Sequence, residues 1–432
     1  MPSCSAPGTG WCLARRFPGL VPRGEIGFRF GEPLDMDGDG RADVAAGARF
    51  KLDQGKFQNG MVAVWSGASG ALLRRWDGEW EEGLFGHWVM PMPDVSGDGL
   101  ADVVIAAPNA RVGGLTRGIL VARSPKSGAE IWRLEEREGE NLGWDLALAG
   151  DQDGDGHVDL FVGAPSEPGR VYLVSGKDGR VLRTYESPAR AFGFFVARLG
   201  DVDGDRRADL LVGAPYAANG DGVRVGSASV LSSASGKELR HWTGTDPRGA
   251  FGAVVAALAD LDGDGKGEIA VAAPATEDQA RVLPGELWIY SGATGAELRH
   301  WTGGQPGELY GRMIVDAGDL DGDGVGDVAV GAPAYRRGDA DRVGRIEFRS
   351  GKRGTVLAEL QGDEADCWFG WHIRRAPDPD GRGRPALLVS SLRHPVDGNF
   401  GVGLLDLLVL RRPAGSGDHG TITRGVRRKD IK

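Results

Sequence analysis

Phe192-Gly-Phe-Phe-Val-Ala-Arg-Leu-Gly-Asp201-Val-Asp-Gly-Asp205-Arg-Arg-Ala-Asp209-Leu-Leu-Val-Gly-Ala-Pro215 joins an aromatic-Gly pair, an acidic loop and a short apolar run that stops at Gly-Ala-Pro. The same order recurs along the chain. An aromatic or aliphatic residue followed by Gly stands at 26, 85, 142, 192, 251, 310 and 369. Nine residues after each, an Asp opens a loop: Asp35, Asp94, Asp151, Asp201, Asp260, Asp319 and Asp378. The intervals are 59, 57, 50, 59, 59 and 59 residues. A period this regular means one supersecondary unit repeated, which overrides the three-domain count that 432 residues alone suggest.

The loop has a chemical logic. In Asp35-Met-Asp37-Gly-Asp39-Gly-Arg41-Ala-Asp43 carboxylates stand at positions 1, 3, 5 and 9, and Gly at position 6 permits the sharp turn that aims them at one point. Hard oxygen ligands on a turn suit Ca²⁺, which accepts six to eight oxygens at about 2.3–2.6 Å. Nitrogen and sulfur ligands are absent from this loop, which argues against zinc or copper. An EF-hand would need a bidentate Glu at position 12 and flanking helices. Position 12 is instead Ala46, Ile105, Val162, Val212, Val271 or Val330, and an apolar run such as Asp159-Leu-Phe-Val-Gly-Ala-Pro165 follows. That run reads as a strand buried on both faces. A second apolar stretch, a tight turn and an alternating closing strand complete each unit, as in Val62 to Gly70 followed by Ala71-Leu-Leu-Arg-Arg-Trp76. Four strands joined by hairpins make one propeller blade.

Phe192-Gly193, Gly200-Asp-Val-Asp-Gly-Asp205 and Gly213-Ala-Pro215 resemble the FG-GAP repeat, which builds the seven-bladed β-propeller of integrin α-subunits and of many bacterial surface proteins. The resemblance covers roughly residues 11 to 410. It implies an all-β fold, a seven-bladed β-propeller of four-stranded antiparallel blades, with the calcium loop between the first and second strands on one face. Residues 11–411 are expected to form a single propeller, and 412–432 a polar disordered tail.

The loops are unequal. Asp35, Asp37, Asp39 and Asp43, then Asp151, Asp153, Asp155 and Asp159, then Asp319, Asp321, Asp323 and Asp327 keep all four acids and the turn Gly. Loop 5 has Asp260, Asp262, Asp264 and the longer Glu268. Loop 4 has Asp201, Asp203, Asp205 and Asp209, but Arg206 replaces the turn Gly, so a positive φ there carries a strain cost. Loop 2 has Asp94, Ser96, Asp98 and Asp102, with Ser96 a neutral ligand. The backbone carbonyls of position 7, Arg41, Leu100, His157, Arg207, Lys266 and Val325, complete the expected ligand sets. Loop 7 loses two acids, and Arg382 lies where the third should be, as a fixed cation in place of the ion. Up to six Ca²⁺ are therefore expected, with the last hairpin empty. The six loops concentrate more than a third of the chain's 61 acidic residues, and the formal charge of −10 is a ligand signature rather than evidence for a basic partner.

Ring closure is also legible. Leu13-Ala-Arg-Arg-Phe-Pro-Gly19 matches the closing strand Leu72-Leu-Arg-Arg-Trp-Asp-Gly78, while the last unit has a strand at Leu404 to Leu410 and no clear fourth one. Residues 12–18 are expected to serve as the outer strand of blade 7 and hide an edge.

Signals for chemistry are weak. No Ser-His-Asp arrangement, nucleotide-binding Gly loop or HExxH stretch is present. His241 and His300 occupy the same blade position and read as scaffold, and Cys367 reads as a buried small hydrophobe. The chain is expected not to be an enzyme. Ligand binding is expected on the face opposite the calcium loops, where connections after Gly-Ala-Pro carry Arg49, Arg111, Tyr216, Tyr335, Arg336 and Arg393. A protein or glycan ligand suits that content, in an adhesion or protein-interaction scaffold or, as the alternative, a lectin-like propeller. The remaining expectations are no nucleic-acid partner, no membrane span, a monomer, and an extracellular or periplasmic setting, although no signal peptide is recognisable in Met1 to Gly10.

Overall fold

The computed structural model describes residues 10–50, 59–247, 250–275 and 283–411. The predicted tail at 412–432 lies outside the described residues. Strand β1 (Trp11–Pro18) comes first, and three strands of blade 1 follow: β2 (Val44–Ala48), β3 (Met61–Trp65) and β4 (Leu72–Asp77). Blade 2 is β5 (Trp88–Met92), β6 (Asp102–Val112), β7 (Leu115–Arg123) and β8 (Glu130–Glu138). Blade 3 is β9 (Asp145–Gly150), β10 (Asp159–Ala164), β11 (Gly169–Val174) and β12 (Val181–Ser187). Blade 4 is β13 (Phe195–Arg198), β14 (Leu210–Ala214), β15 (Ser227–Leu231) and β16 (Glu238–Thr243). Blade 5 is β17 (Val254–Ala257), β18 (Ile269–Ala273), β19 (Glu286–Tyr290) and β20 (Glu297–Thr302). Blade 6 is β21 (Met313–Gly318), β22 (Asp327–Ala332), β23 (Arg345–Arg349) and β24 (Val356–Gln361). Blade 7 is β25 (Phe369–Ala376), β26 (Ala386–Ser391) and β27 (Leu404–Leu410), completed by β1. Strands pair antiparallel in sequence order within each sheet, which makes a seven-bladed, all-β propeller.

Burial follows from blades stacking face to face. The second strands β2, β10, β14, β18, β22 and β26 are buried at every residue, which accounts for their unbroken apolar runs. The outer strands alternate, as Leu72–Asp77 does around buried Trp76.

Near the hub the blades touch backbone to backbone. A Cβ added to Gly47 would lie 1.9 Å from the carbonyl oxygen of Gly86 in the next blade; the same holds for Gly163 against Gly193 at 2.1 Å, Gly213 against Gly252 at 2.0 Å and Gly331 against Gly370 at 2.5 Å. At the other three interfaces the facing residue is Ala106, Ala272 or Ser390, and the partner Gly143, Gly311 or Gly27 leaves 2.8–2.9 Å for a Cβ. Both halves of the repeated motif are thus small for one reason. They are the two sides of a single contact.

Further out, the closing strands of blades 1, 2, 4 and 5 hook the hairpin of the next blade. The indole N–H groups of Trp76, Trp132 and Trp242 donate to the carbonyls of Gly128, Gly176 and Gly295 at 3.2, 2.7 and 3.1 Å. Arg74, Arg240 and Arg299 donate to Lys126, Ala293 and Lys352 at 2.6, 2.8 and 2.9 Å. Arg15 makes the equivalent contact to Ala68, so blade 7 grips blade 1 in the same way.

The N-terminal strand closes the ring as its sequence predicts. β1 pairs antiparallel with β27 from Trp11–Leu410 to Pro18–Leu404. Arg16 forms a bidentate pair with buried Asp406 at 2.8 and 2.9 Å, and Trp11 stacks on Phe348 of blade 6 with centroids 5.0 Å apart. Blade 1 departs from four strands: its innermost segment from Ile26 forms only an isolated bridge, Leu34 with Asp43. Pro33 has no N–H to give a ladder, and the N–H of Gly31 is committed at 2.8 Å to Val89 of blade 2.

Because the atom facing Gly213 is backbone, Gly213→Ala has no flexible neighbour to displace. Thermal melts and denaturant titration should show a loss of about 2–3 kcal/mol, within the range of overpacked cores; an unchanged melt would contradict the hub contact.

Candidate metal centres

Each loop curls around its first carboxylate. Asp35 accepts the N–H groups of Gly38 and Gly40 at 2.7 and 2.9 Å, Asp94 those of Gly97 and Gly99 at 2.7 Å each, and Asp201 those of Gly204 and Arg206 at 2.6 and 2.8 Å. Asp151, Asp260 and Asp319 do the same. The position-6 N–H is the largest influence holding Asp151, Asp201 and Asp260 below the ordinary carboxylate range. The position-5 carboxylate accepts the amide of position 7: Arg41, Leu100, His157, Arg207, Lys266 and Val325 donate at 2.8–3.1 Å. These are Asx turns, so short-range bonds build the loop from its own sequence.

The position-9 acid behaves differently. Asp43, Asp102, Asp159, Asp209, Glu268 and Asp327 are buried. One oxygen accepts the position-2 amide, Met36 at 2.8 Å, Gln152 at 2.7 Å, Val202 at 2.8 Å or Leu320 at 2.6 Å. The other accepts an amide of the hairpin between the third and fourth strands: Gly67 at 2.8 Å, Gly176 at 3.1 Å, Ser233 at 3.2 Å or Gly351 at 3.1 Å. This carboxylate therefore ties its loop to a second hairpin of the same blade. Burial, with neighbouring loop acids adding to it, pushes Asp43 and Asp327 up to about 6 and Glu268 up to about 7.

Five groups of carboxylates converge, each with ligand atoms within 4.8 Å of one another: Asp35, Asp37 and Asp39; Asp151, Asp153 and Asp159; Asp201, Asp203 and Asp209; Asp260, Asp262 and Glu268; Asp319, Asp321 and Asp327. The donors are all oxygen, which fits a hard cation. Glu268 Oε2, Asp102 Oδ1 and Asp323 Oδ2 are buried without a hydrogen-bond partner, a cost that a cation would offset. Asp155, Asp205, Asp264 and Asp323 stand beside these groups rather than within them. Asp155 lies 3.8 Å from Lys177, and Asp323 3.6 Å from Arg353.

Three loops depart from the full pattern in structure as in sequence. Loop 2 is not among the converging groups: Asp98 accepts Ser124 Oγ at 2.8 Å, and Ser96 Oγ donates to Asp94 at 3.3 Å. In loop 4, Arg206 takes the position of Gly40, Gly99, Gly156, Gly265 and Gly324 with φ 73°. In loop 7 the fixed cation is Arg384, not Arg382. Arg384 bridges Asp378 at 2.8 Å and Asp380 at 2.6 Å, and holds Asp378 well below the usual carboxylate range. Arg382 gives only its backbone N–H to Asp378, at 3.1 Å. From position 7 the guanidinium folds back over position 1.

On the opposite face, Arg49 and Arg393 converge on Glu25 at 3.3 and 3.0 Å, and Tyr216 meets Phe194 edge-on. Arg111 pairs with Glu82 at 3.1 Å and Arg336 with Asp341 at 3.1 Å, both in exposed surroundings, and Tyr335 lies under Arg345. The six predicted residues are thus not one cluster. Cys367 is buried, its thiol pushed up to about 12 by burial, which fits packing rather than reactivity. His300 stacks on Trp288 and His241 bonds Glu238, as scaffold residues do. Sequence reasoning missed Arg384 and the hairpin amides, although Ser66-Gly67, Ser175-Gly176, Ser232-Ser233 and Ser350-Gly351 recur in register and could have shown the latter.

Acidic hairpins between the first and second strands, and small residues where the blades meet at the hub, recur around the seven-bladed ring. Residues 151–212 and 260–330 match the FG-GAP-like repeat family. The chain is similar to integrin alpha-V of Gallus gallus, 34% identical over 250 residues, which covers 55% of this chain and 19% of that protein. It is also similar to human integrin alpha-7, 33% identical over 148 residues (32% of this chain, 12% of that protein), and to Xenopus laevis integrin alpha-5, 31% identical over 184 residues (39% and 17%). The chain spans about a fifth or less of the length of these relatives.

Replacing Arg206 by Gly removes the left-handed cost at loop 4. Equilibrium unfolding should show a gain of about 0.5–1 kcal/mol, the αL cost less the extra unfolded-state freedom of Gly. A loss would show that the Arg206 side chain is needed there.

Proposed function

We propose that this chain is a non-enzymatic adhesion or protein-interaction scaffold, in which residues 11–411 act as one unit. Ca²⁺ held by up to six loops pins one face, and the opposite face grips a protein ligand. The observation that carries this reading is the separation of the two ends of each blade. Acidic hairpins sit at one end of the strands, and connections rich in Arg and aromatic residues sit at the other, on a ring similar to integrin alpha subunits. Rigid scaffolds with binding loops at one end are a common route to recognition.

The ion would be held by carboxylates at positions 1, 3, 5 and 9 with the carbonyl of position 7, and by Ser96 as the neutral member of loop 2. When bound, it neutralises clustered negative charge and links the loop to the strand that follows it. The position-9 acids already orient this linkage through their hairpin bonds. An extracellular or periplasmic setting would supply the ion. Among the described residues no helix is long and apolar enough to cross a membrane.

Crosslinking in native cells tests the reading. The chain should capture a protein partner; the double variant Tyr216→Ala, Arg393→Ala should abolish capture at unchanged Tm, and Lys237→Ala on the loop face should leave it intact. Sugar-specific signals on a glycan array in Ca²⁺, with no protein captured, would replace this function with that of a lectin.

A further inference from the structure

The residue after each motif Gly lines the mouth of the central channel on the face opposite the acidic loops. Five of these seven positions carry rings: Phe28, His87, Trp144, Phe194 and Trp371. They touch in an unbroken arc, with centroids 5.6 Å apart for Trp371–Phe28, 5.0 Å for Phe28–His87, 5.1 Å for His87–Trp144 and 5.6 Å for Trp144–Phe194, and Tyr216 extends it. The arc encloses a cavity of about 280 Å³.

Cations from the chain itself lie over two of these rings. The guanidinium of Arg49 lies 3.5 Å from the Phe28 centroid and that of Arg312 4.2 Å from Trp371. Arg29 lies below, over Phe195 at 4.8 Å. Among the described residues no acidic side chain lines the cavity. The carboxylates that pair with the lining arginines are committed: Asp145 accepts Arg29, the Trp88 indole and the Val196 amide, and Glu25 accepts Arg49 and Arg393. Four N–H donors on lining side chains are buried without a partner: Nε of Arg29, Nε of Arg49 and the indole nitrogens of Trp144 and Trp371. Burial and then the charges of Arg29 and Arg49 push His87 well below its ordinary value. It is neutral, and with Nε2 donating to the Trp144 carbonyl at 3.2 Å, its Nδ1 is an unmatched acceptor. Among the described side chains at this mouth, unmatched buried donors exceed unmatched acceptors four to one.

Such a site, lined by Arg29, Arg49 and Arg312, repels a cationic group and has poor means of matching a sugar, whose hydroxyls donate as often as they accept. An anionic acceptor flanked by apolar groups is its complement, with charge-assisted bonds to Arg and indole N–H donors. We propose that the channel mouth binds an acidic side chain, Asp or Glu, of a partner polypeptide. This deepens the protein-interaction reading above and rests on it.

The full chain in Ca²⁺, labelled with ¹⁵N at Trp indoles, is titrated with acetyl-Gly-Asp-Gly-amide, its Asn and Lys counterparts, and methyl glucuronide. The Asp peptide should shift the Trp144 and Trp371 indole signals, binding at least tenfold more tightly than the Asn peptide. Arg49→Gln should weaken it at least fivefold. Trp144→Phe, which keeps the ring and removes one donor, should weaken it about threefold and serves if Arg49→Gln fails to fold. Equal binding of Asp and Asn peptides, or tighter binding of the Lys peptide or the glucuronide, would overturn the assignment. Partner capture that persists in both variants would sink the channel-mouth site while leaving the scaffold function standing; loss of capture in both, with peptide binding reduced, supports the two together.

Discussion

The rest of the structure depends on one contact, the approach of a small residue in the second strand of each blade to the motif Gly of the next. Gly213 leaves 2.0 Å between an added Cβ and the carbonyl of Gly252, and the equivalent residues at all seven interfaces are Gly, Ala or Ser. Backbones meeting this closely set how near the inner strands come to the axis. They also fix the two ends of each strand pair. The acidic hairpin must leave from one end and the long connection from the other, so the clustered carboxylates and the long connections are separated by the length of a strand.

Electrostatics then shapes the loop end. Carboxylates that converge within 4.8 Å repel one another, and burial at position 9 adds to the cost. Positive charge in the structure answers part of it. Arg180 reaches Asp153 at 2.6 Å, and in loop 7 Arg384 takes over entirely, spanning Asp378 and Asp380 with its own guanidinium. That last hairpin carries a cation at its focus, supplied by a side chain, where the other loops keep their converging carboxylates.

Much of this was legible in the chain. The period, the loop positions and the ring-closing strand followed from spacing and from the match of Leu13 to Gly19 with Leu72 to Gly78. Loop 4 behaved as its Arg206 implied. What escaped were relations that depend on three-dimensional reach. Arg384 was two residues from the position considered, and only the folded turn brings it over Asp378. The inner segment of blade 1 lost its ladder because Gly31 bonds to the next blade, a competitor invisible along the sequence. The aromatic arc at the channel mouth was in register all along, but Phe28, His87, Trp144, Phe194 and Trp371 read as strand residues until the ring gathered them on one axis.

The measurement that bears most directly on the account is a Ca²⁺ titration of the purified chain, with bound metal counted and melting temperature recorded on the same samples. The five converging groups predict five ions per chain at millimolar Ca²⁺, a sixth only if loop 2 engages, and a melting temperature that rises with occupancy and falls on chelation. Two or fewer ions, or a melting temperature indifferent to chelator, would contradict it.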